Sequence, residues 1–215
     1  MKKNKPVYVE SKFTGGHYAM QTEKSLKPFQ NPMGINRSIK LNDSDIVADI
    51  GAYVGEYSIW ASKKAKKIYA YEPTPHTFKI LEMNKKPNME IFNSAVVGND
   101  NKHINLFISK GIGVTNSTVK SQSKTDIIKV NAIKYENAIK DATVVKIDVE
   151  GGEYSFDIIQ PQLRAVILEF HPIVKKPWQK WAYQIMKNLD NAGFRPVSKK
   201  PTFKHGWDLT GSWIR

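Results

Sequence analysis

Acidic side chains stand at the ends of short apolar runs that are typical of buried parallel strands. In an open α/β sheet, ligands bind in the crevice beyond the carboxyl ends of the strands, so acids at these positions face one site. Carboxylates there could hold a cationic ligand or remove a proton from a substrate. The acids are Asp49, Glu72, Asp148, Glu150 and Glu169, and His171 follows the last of them.

A glycine turn after the first run predicts a cradle for a nucleotide cofactor. The strand Ile46–Ile50 leads into Gly51, which tolerates unusual dihedrals and lets a ligand lie against the backbone, while Gly55 lets the next helix pack closely. The spacing D-x-G-x-x-x-G differs from the G-x-G-x-x-G that seats a dinucleotide pyrophosphate. We therefore expect S-adenosylmethionine, because its ammonium and sulfonium suit the Asp49 carboxylate. A cofactor-free α/β protein is the alternative for this motif alone.

The next acid has the position expected of a ribose ligand. Glu72 ends the predicted strand Ile68–Tyr71, about 20 residues beyond Gly51, where doubly wound folds place a carboxylate that accepts both ribose hydroxyls. The run 89–98 is expected to lie beside the cofactor strand, so Ser94 and Ala95 are candidate neighbours of the adenine or, equally, core residues. The predicted cofactor contacts are Asp49, Gly51, Ala52, Tyr53, Gly55, Glu56, Tyr57, Ser58, Glu72, Pro73, Ser94, Ala95 and Asp148.

The strands 144–147 and 164–170 deliver the candidate catalytic residues, and a glycine turn and a helix start are expected after Glu150. We expect Asp148 or His171 to act as general base, with Glu150 or Glu169 orienting it. Histidine titrates near neutrality, which favours His171, although an ordinary strand-end histidine fits equally well. A divalent metal on these residues is possible but not favoured, because their spacing is not diagnostic; we predict no metal site.

Composition limits the class of protein. The 215 residues suit one domain, and the absence of cysteine excludes disulfides and thiolate metal sites. We expect a cytoplasmic protein without a membrane partner, since the chain has no long apolar segment. The net charge of +13 makes a nucleic-acid partner possible, but only Arg37, Arg164, Arg195 and Arg215 carry the guanidinium groups that phosphate recognition favours.

With these residues assembled, the chain resembles the FkbM family of S-adenosylmethionine-dependent methyltransferases. The resemblance rests on four stretches in the family's order, which together span about half of the chain. They are Asp49–Ser58, Glu72–Phe78 with Leu81 and Asn84, Asn93–Ala95, and Lys146–Glu153. One departure is that the family commonly has Thr-Leu-Asp before the Lys146 strand, where this chain reads Ile133-Lys134-Tyr135-Glu136.

The resemblance implies a Rossmann-like class I methyltransferase fold with a mostly parallel seven-stranded sheet. The residues 194–198 and 207–214, which the resemblance does not cover, predict an antiparallel C-terminal hairpin that closes this sheet. The resemblance also implies methyl transfer, usually to an oxygen of a sugar or natural product. We expect residues 1–40 to be an irregular lead-in, with or without one short helix, that could act as a lid or be a loosely attached tail. We expect residues 41–215 to form a single methyltransferase domain. Substrate choice is expected to reside in these first residues and after Pro172.

Three functions are therefore compatible with the sequence. The first is O-methylation of a saccharide or small metabolite, and the second is methylation of RNA or DNA through the basic surface. The third is a binding protein that keeps the cofactor cradle without catalysis. The sequence does not specify an oligomeric state.

Overall fold

The computed structural model describes residues 7–11, 16–20, 38–108, 126–172, 177–197, 201, 203 and 210–215, the first two ranges as backbone only. These two ranges are strands, β1 (Val7–Ser11) and β2 (Gly16–Met20), which pair antiparallel. We expected irregular chain or a short helix here. The β-forming residues Val7, Tyr8 and Val9 explain why the structure has a strand instead.

The remaining described elements include both strands and helices. The strands are β3 (Ile46–Ile50), β4 (Lys67–Tyr71), β5 (Met89–Phe92), β6 (Ala95–Val97), β7 (His103–Ile108), β8 (Asp126–Lys134), β9 (Val144–Ile147), β10 (Ala165–Glu169), β11 (Arg195–Pro196) and β12 (Thr210–Ile214). The helices are α1 (Glu56–Ser62), α2 (Pro75–Asn84), α3 (Tyr135–Ile139) and α4 (Trp178–Asn191), with a 3-10 helix at Glu153–Ser155. Among these described elements, strands and helices alternate from β3 to β5 and from β8 to β11, whereas β5 to β8 follow one another without a helix.

A seven-stranded sheet in the order β11-β12-β10-β9-β3-β4-β5 organises the described chain. The five strands from β10 to β5 are parallel, β12 runs antiparallel to β10, and β11 runs antiparallel to β12. This architecture confirms the expected Rossmann-like α/β fold with a mostly parallel sheet and an antiparallel C-terminal pair. Trp207 and Asp208, which we expected in that pair, lie outside the described residues.

Alternation along the strands divides the core between the two faces of the sheet. Val47 packs in the cluster that contains residues of α1 and α2, whereas its neighbour Ala48 packs in the cluster that contains residues of α3 and α4. Because successive side chains of a strand point to opposite faces, each central strand contributes to both clusters. The sheet is thus covered on both faces, and its crevice of strand ends is the place left for a ligand.

The run 89–98 corrects one of our expectations. It forms two strands in different sheets, since β5 pairs with β4 and β6 pairs with β8 in a separate sheet of the order β6-β8-β7. The run therefore does not lie beside β3. Asn93 marks the break, because its side-chain Nδ2 donates to the carbonyls of Glu72 and Pro73 and so turns the chain away from the sheet.

The segment after β9 also differs from expectation. We predicted a helix start at Glu153, but only the three-residue 3-10 helix forms there. The Glu153 carboxylate accepts backbone N–H groups of Gly151 and His171, which holds this segment against the end of β10. The sequence also predicts a loop at 111–117, between two β-forming segments, and this stretch lies outside the described residues.

Among the described residues, we find no helix with both the length and the apolar character needed to cross a lipid bilayer.

A partly buried ion pair holds the amino ends of β3 and β10 together, opposite the crevice. Arg164 donates through Nε to Asp45 Oδ1 at 2.6 Å and pairs through Nη2 with Oδ2 of the same carboxylate. Burial alone would raise the pKa of Asp45, but the bonds from Arg164, Asn42 and Thr143 outweigh it and hold that pKa below its usual value. The ionised carboxylate therefore stabilises the fold.

We predict that Asp45→Asn lowers the free energy of unfolding by about 2 to 3 kcal/mol at pH 7, because charged hydrogen bonds are lost. Since the pKa is lowered in the fold, this contribution is present above about pH 4 and disappears as the pH falls through the folded value. Urea unfolding of both proteins at pH 7 and pH 3 should show the difference shrinking. A constant difference would contradict this account, and Asp100→Asn, at an exposed pair with Lys134, is the control with little effect.

Candidate active site

The turn after β3 is shaped by the strand next to it. Gly51 has φ 81°, and a Cβ at this residue would lie 1.7 Å from the carbonyl oxygen of Asp148. The backbone N–H groups of Gly51 and Ala52 both donate to the carbonyl of Tyr71, at 3.0 and 2.9 Å. We expected the missing side chain to make room for a ligand. In the structure that space is taken by the carboxyl end of β9, so the glycine is required by strand packing.

Lys146 links the end of β3 to the end of β9. Its Nζ lies 3.3 Å from Asp49 Oδ1 and 3.3 Å from Asp148 Oδ2, and it donates to the carbonyl of Gly51 at 2.9 Å. Burial lowers the pKa of Lys146, but the Asp49 and Asp148 carboxylates outweigh burial and raise it, so the ammonium keeps its charge. Asp49 is 0% exposed and also accepts from Ser58 Oγ at 2.6 Å. The Asp49 charge is therefore already balanced inside the protein.

Glu72 stands at the end of β4, next to the turn of β3, as the sequence indicated. Its two carboxylate oxygens accept the backbone N–H groups of Tyr53, at 3.1 Å, and Thr74, at 2.8 Å. Burial raises the pKa of Glu72 to about 7, against the lowering effect of these hydrogen bonds. The backbone thus fixes the direction of the Glu72 carboxyl group at the end of β4.

Three predicted acids converge on one imidazole. Nε2 of His171 lies 3.6 Å from Asp148 Oδ1, 3.7 Å from Glu150 Oε1 and 3.8 Å from Glu169 Oε1. Burial raises the pKa of Glu150 to about 7, and burial together with Asp148 raises that of Glu169. The structure therefore brings together at one point all four residues that we proposed for catalysis.

Glu153 is a fifth member of this cluster that our reasoning did not single out. It is 0% exposed, and its Oε1 lies 3.4 Å from Nδ1 of His171 and accepts the His171 backbone N–H at 2.7 Å. The signal was present, since Glu153 ends the Lys146–Glu153 stretch and follows two glycines. Its distance from the strand end concealed its role, because only the turn at Gly151 folds it back toward the crevice.

The charge state of His171 argues against its role as general base. Burial lowers the pKa of His171, but the carboxylates of Glu153, Glu150 and Asp148 outweigh burial and raise that pKa to about 10. The imidazole is therefore protonated near neutral pH and has no lone pair with which to accept a proton.

The other predicted cofactor residues divide into two groups. Ala52, Gly55, Tyr57, Ser58 and Ala95 are buried, whereas Tyr53, Glu56, Pro73 and Ser94 are half-buried. Gly55, with φ 93°, lies at the start of α1, and a Cβ there would be 2.6 Å from Leu81 of α2. This contact confirms that Gly55 serves close helix packing.

The two turns at the crevice share an unusual backbone conformation. Tyr53 after β3 and Glu150 after β9 both have φ 53°, a left-handed conformation that side chains other than glycine rarely adopt. Residues in such conformations cluster at functional sites, where surrounding contacts hold them. Both turns face the same crevice between neighbouring strands.

Comparison with solved structures defines the class of this fold. Trm5b from Pyrococcus abyssi superposes with a TM-score of 0.54 at 13% identity, over 100% of this chain and 56% of that one. Methyltransferase FkbM from Methylobacillus flagellatus KT gives a TM-score of 0.51 at 12% identity, over 89% of this chain and 47% of that one. The fold is that of the Rossmann-like methyltransferases, and this chain spans about half the length of each structure.

The family follows from the sequence itself. Residues 49–196 match the Methyltransferase FkbM domain, and the chain therefore belongs to the FkbM methyltransferase family. It is an S-adenosylmethionine-dependent methyltransferase, as the resemblance implied. No curated protein matches the sequence.

We predict that Gly51→Ala destabilises the protein far more than Gly193→Ala. Both glycines have positive φ, 81° and 88°, so both variants incur the cost of a left-handed alanine, about 1 to 2 kcal/mol. Only at Gly51 does the new Cβ overlap backbone, whereas at Gly193 the nearest atom is the flexible Arg215 side chain at 3.9 Å. Thermal unfolding should therefore separate the two variants clearly, and equal losses would refute the packing role of Gly51.

Proposed function

We propose that this chain transfers a methyl group to an oxygen of a saccharide or small hydroxyl-bearing metabolite, in the crevice over β3, β4, β9 and β10. The observation that carries the proposal is the convergence of Asp148, Glu150 and Glu169 on the imidazole of His171. A hydroxyl must lose its proton as it attacks the methyl carbon. Carboxylates next to the cofactor edge meet that requirement.

The crevice fits S-adenosylmethionine, which supplies a methyl group already activated by its sulfonium. Glu72 offers oxygens to the ribose hydroxyls from the end of β4, where backbone N–H groups fix its direction. Pro73 and Ser94 are half-buried beside it and would contact the adenine. The negative charge of the acid cluster suits the cationic part of the ligand. Asp49 then acts indirectly, by holding Lys146 in place.

The residues of the crevice divide the chemical work. Asp148, Glu150 or Glu169 takes the proton of the acceptor hydroxyl, while the protonated His171 keeps the three carboxylates together. Alignment of the acceptor oxygen with the methyl group lowers the activation barrier further, because orientation alone can account for several kcal/mol of the barrier. Lys146 reduces the electrostatic repulsion among these carboxylates, because its ammonium pairs with Asp148.

The charge of the crevice favours a neutral acceptor over nucleic acid. The overall charge of +13 would attract a polyanion, but several carboxylates would repel a phosphate at the reacting edge. Nucleic-acid methylation remains the second candidate because of that overall charge. The experiment below tests this second candidate by including RNA among the acceptor pools.

A cavity of about 410 Å³ with mixed polar and apolar walls supports a saccharide or similar acceptor. It borders the 3-10 helix through Ser155, two residues beyond Glu153. Its walls carry three amide side chains, an imidazole and a phenyl ring, which are groups that fix the orientation of a hydroxyl-rich ligand. These side chains are Asn99, Asn101, Asn105, His103 and Phe107.

We predict that Glu72→Gln weakens S-adenosylmethionine binding by tenfold or more, since an amide cannot accept hydrogen bonds from both ribose hydroxyls and both backbone N–H groups as a carboxylate does. Calorimetry measures the affinity. Transfer of labelled methyl groups into pools of saccharides, small hydroxyl compounds and RNA measures the activity. We expect label in a hydroxyl-bearing pool for the wild type and little for Glu72→Gln.

Glu90→Gln is the matched control, because Glu90 lies on the neighbouring strand β5 and forms an exposed pair with Lys67. It should bind the cofactor like the wild type. Label found only in RNA would replace the proposed acceptor by nucleic acid. Unchanged affinity in Glu72→Gln would refute the role of Glu72.

A further inference from the structure

The spacing around His171 does not fit hydrogen bonding. Nε2 lies 3.6 to 3.8 Å from oxygens of Asp148, Glu150 and Glu169, whereas N–H···O bonds are about 2.7 to 3.2 Å long. Atoms that share one metal ion, each about 2.0 to 2.2 Å from it, are separated by roughly 3 to 4 Å. The observed distances therefore match ligands arranged around a common centre.

We propose that this point is a binding site for a divalent cation, with Asp148, Glu150 and His171 as ligands and Glu169 as a fourth. One ligand atom from each of the first three residues lies within 4.8 Å of the others. The ligands come from the ends of β9 and β10, two paired strands, so the sheet fixes their relative positions. A cation here takes the place of the proton on Nε2.

Glu153 supplies an independent reason for a metal, because metal-binding histidines usually have a carboxylate behind the ring nitrogen that does not bind the ion. The Glu153 carboxylate stands 3.4 Å from Nδ1 of His171, on the side away from the cluster. It is fully buried and is fixed by the backbone N–H groups of Gly151 and His171. The ring therefore presents Nε2 to the carboxylates, in the orientation that ligation requires.

The ligand set indicates the kind of cation. Carboxylate oxygens suit Mg²⁺ and Mn²⁺, and a single imidazole favours a transition metal over Mg²⁺. The chain has no cysteine, so thiolate ligation is excluded. Mn²⁺ is the cation that this mixture of ligands fits best.

The proposed role of the cation rests on the methyl-transfer function proposed above. A divalent ion next to the methyl acceptor would bind its hydroxyl and lower the pKa of that group. A carboxylate oxygen that does not bind the ion would then take the proton, which leaves the acceptor oxygen nucleophilic. The carboxylates that hold the ion would also keep the acceptor oxygen at a fixed position. The cation site is thus a means of orienting and activating the acceptor.

Titration of the metal-free protein with MnCl₂, followed by the electron paramagnetic resonance of free Mn²⁺, tests the site without cofactor or acceptor. We expect one bound Mn²⁺ per chain. Glu150→Gln should weaken binding by tenfold or more, and Glu153→Gln by about 10- to 100-fold, because it acts through the orientation of His171. Glu82→Gln, on the exposed side of α2, should bind like the wild type.

Circular dichroism establishes whether each variant is folded. If Glu153→Gln does not fold because Glu153 is buried, Glu150→Gln still tests the site, since Glu150 is half-buried. Binding of no Mn²⁺, or equal binding by the wild type and Glu150→Gln, would overturn the proposal. The two proposals fail in different ways. If the protein binds no Mn²⁺ and methyl transfer continues unchanged in the presence of a chelator, the cation site alone is refuted. Specific Mn²⁺ binding without transfer to any acceptor pool supports the site and refutes the proposed acceptor chemistry.

Discussion

The buried ammonium of Lys146 is the interaction on which the site depends. It is 6% exposed and lies between the carboxylates of Asp49 and Asp148, while it also donates to the carbonyl of Gly51. Two charged groups buried in the core are stable only when they neutralise each other in good geometry. Lys146 therefore ties the glycine turn of β3 to the end of β9. The cofactor edge and the acid cluster are built as one unit.

The distribution of charge explains how a basic protein can have an acidic crevice. The net charge of +13 reflects many lysines, but the strand ends gather Asp148, Glu150, Glu153 and Glu169 around a single imidazole. Such a cluster needs a positive charge to be stable. The proton on His171 supplies one, the sulfonium of the cofactor would supply another, and a divalent cation in place of the His171 proton would supply more. The same requirement thus connects the fold, the cofactor and the proposed metal.

Much of the fold could be predicted from the sequence, because buried parallel strands are short β-branched runs that end in acids or glycine. The strands β3, β4, β9 and β10 and the position of Glu72 follow from that pattern. The break at Asn93 could not, because it depends on side-chain hydrogen bonds to carbonyls of another strand. Nor could the inward pairing of Asp49, since residue type alone does not tell whether an acid faces a ligand or a buried lysine.

A double-mutant cycle between Asp49 and Lys146 tests the central claim most directly. The free energy of unfolding of the wild type, Asp49→Asn, Lys146→Met and the double variant would be measured in urea. Lys146→Met alone should cost about 3 to 5 kcal/mol, because Asp49 is left charged and buried. The double variant should recover at least about 2 kcal/mol of that loss. Additive effects, or a loss below about 1 kcal/mol for Lys146→Met, would contradict the claim that this ion pair holds the site together.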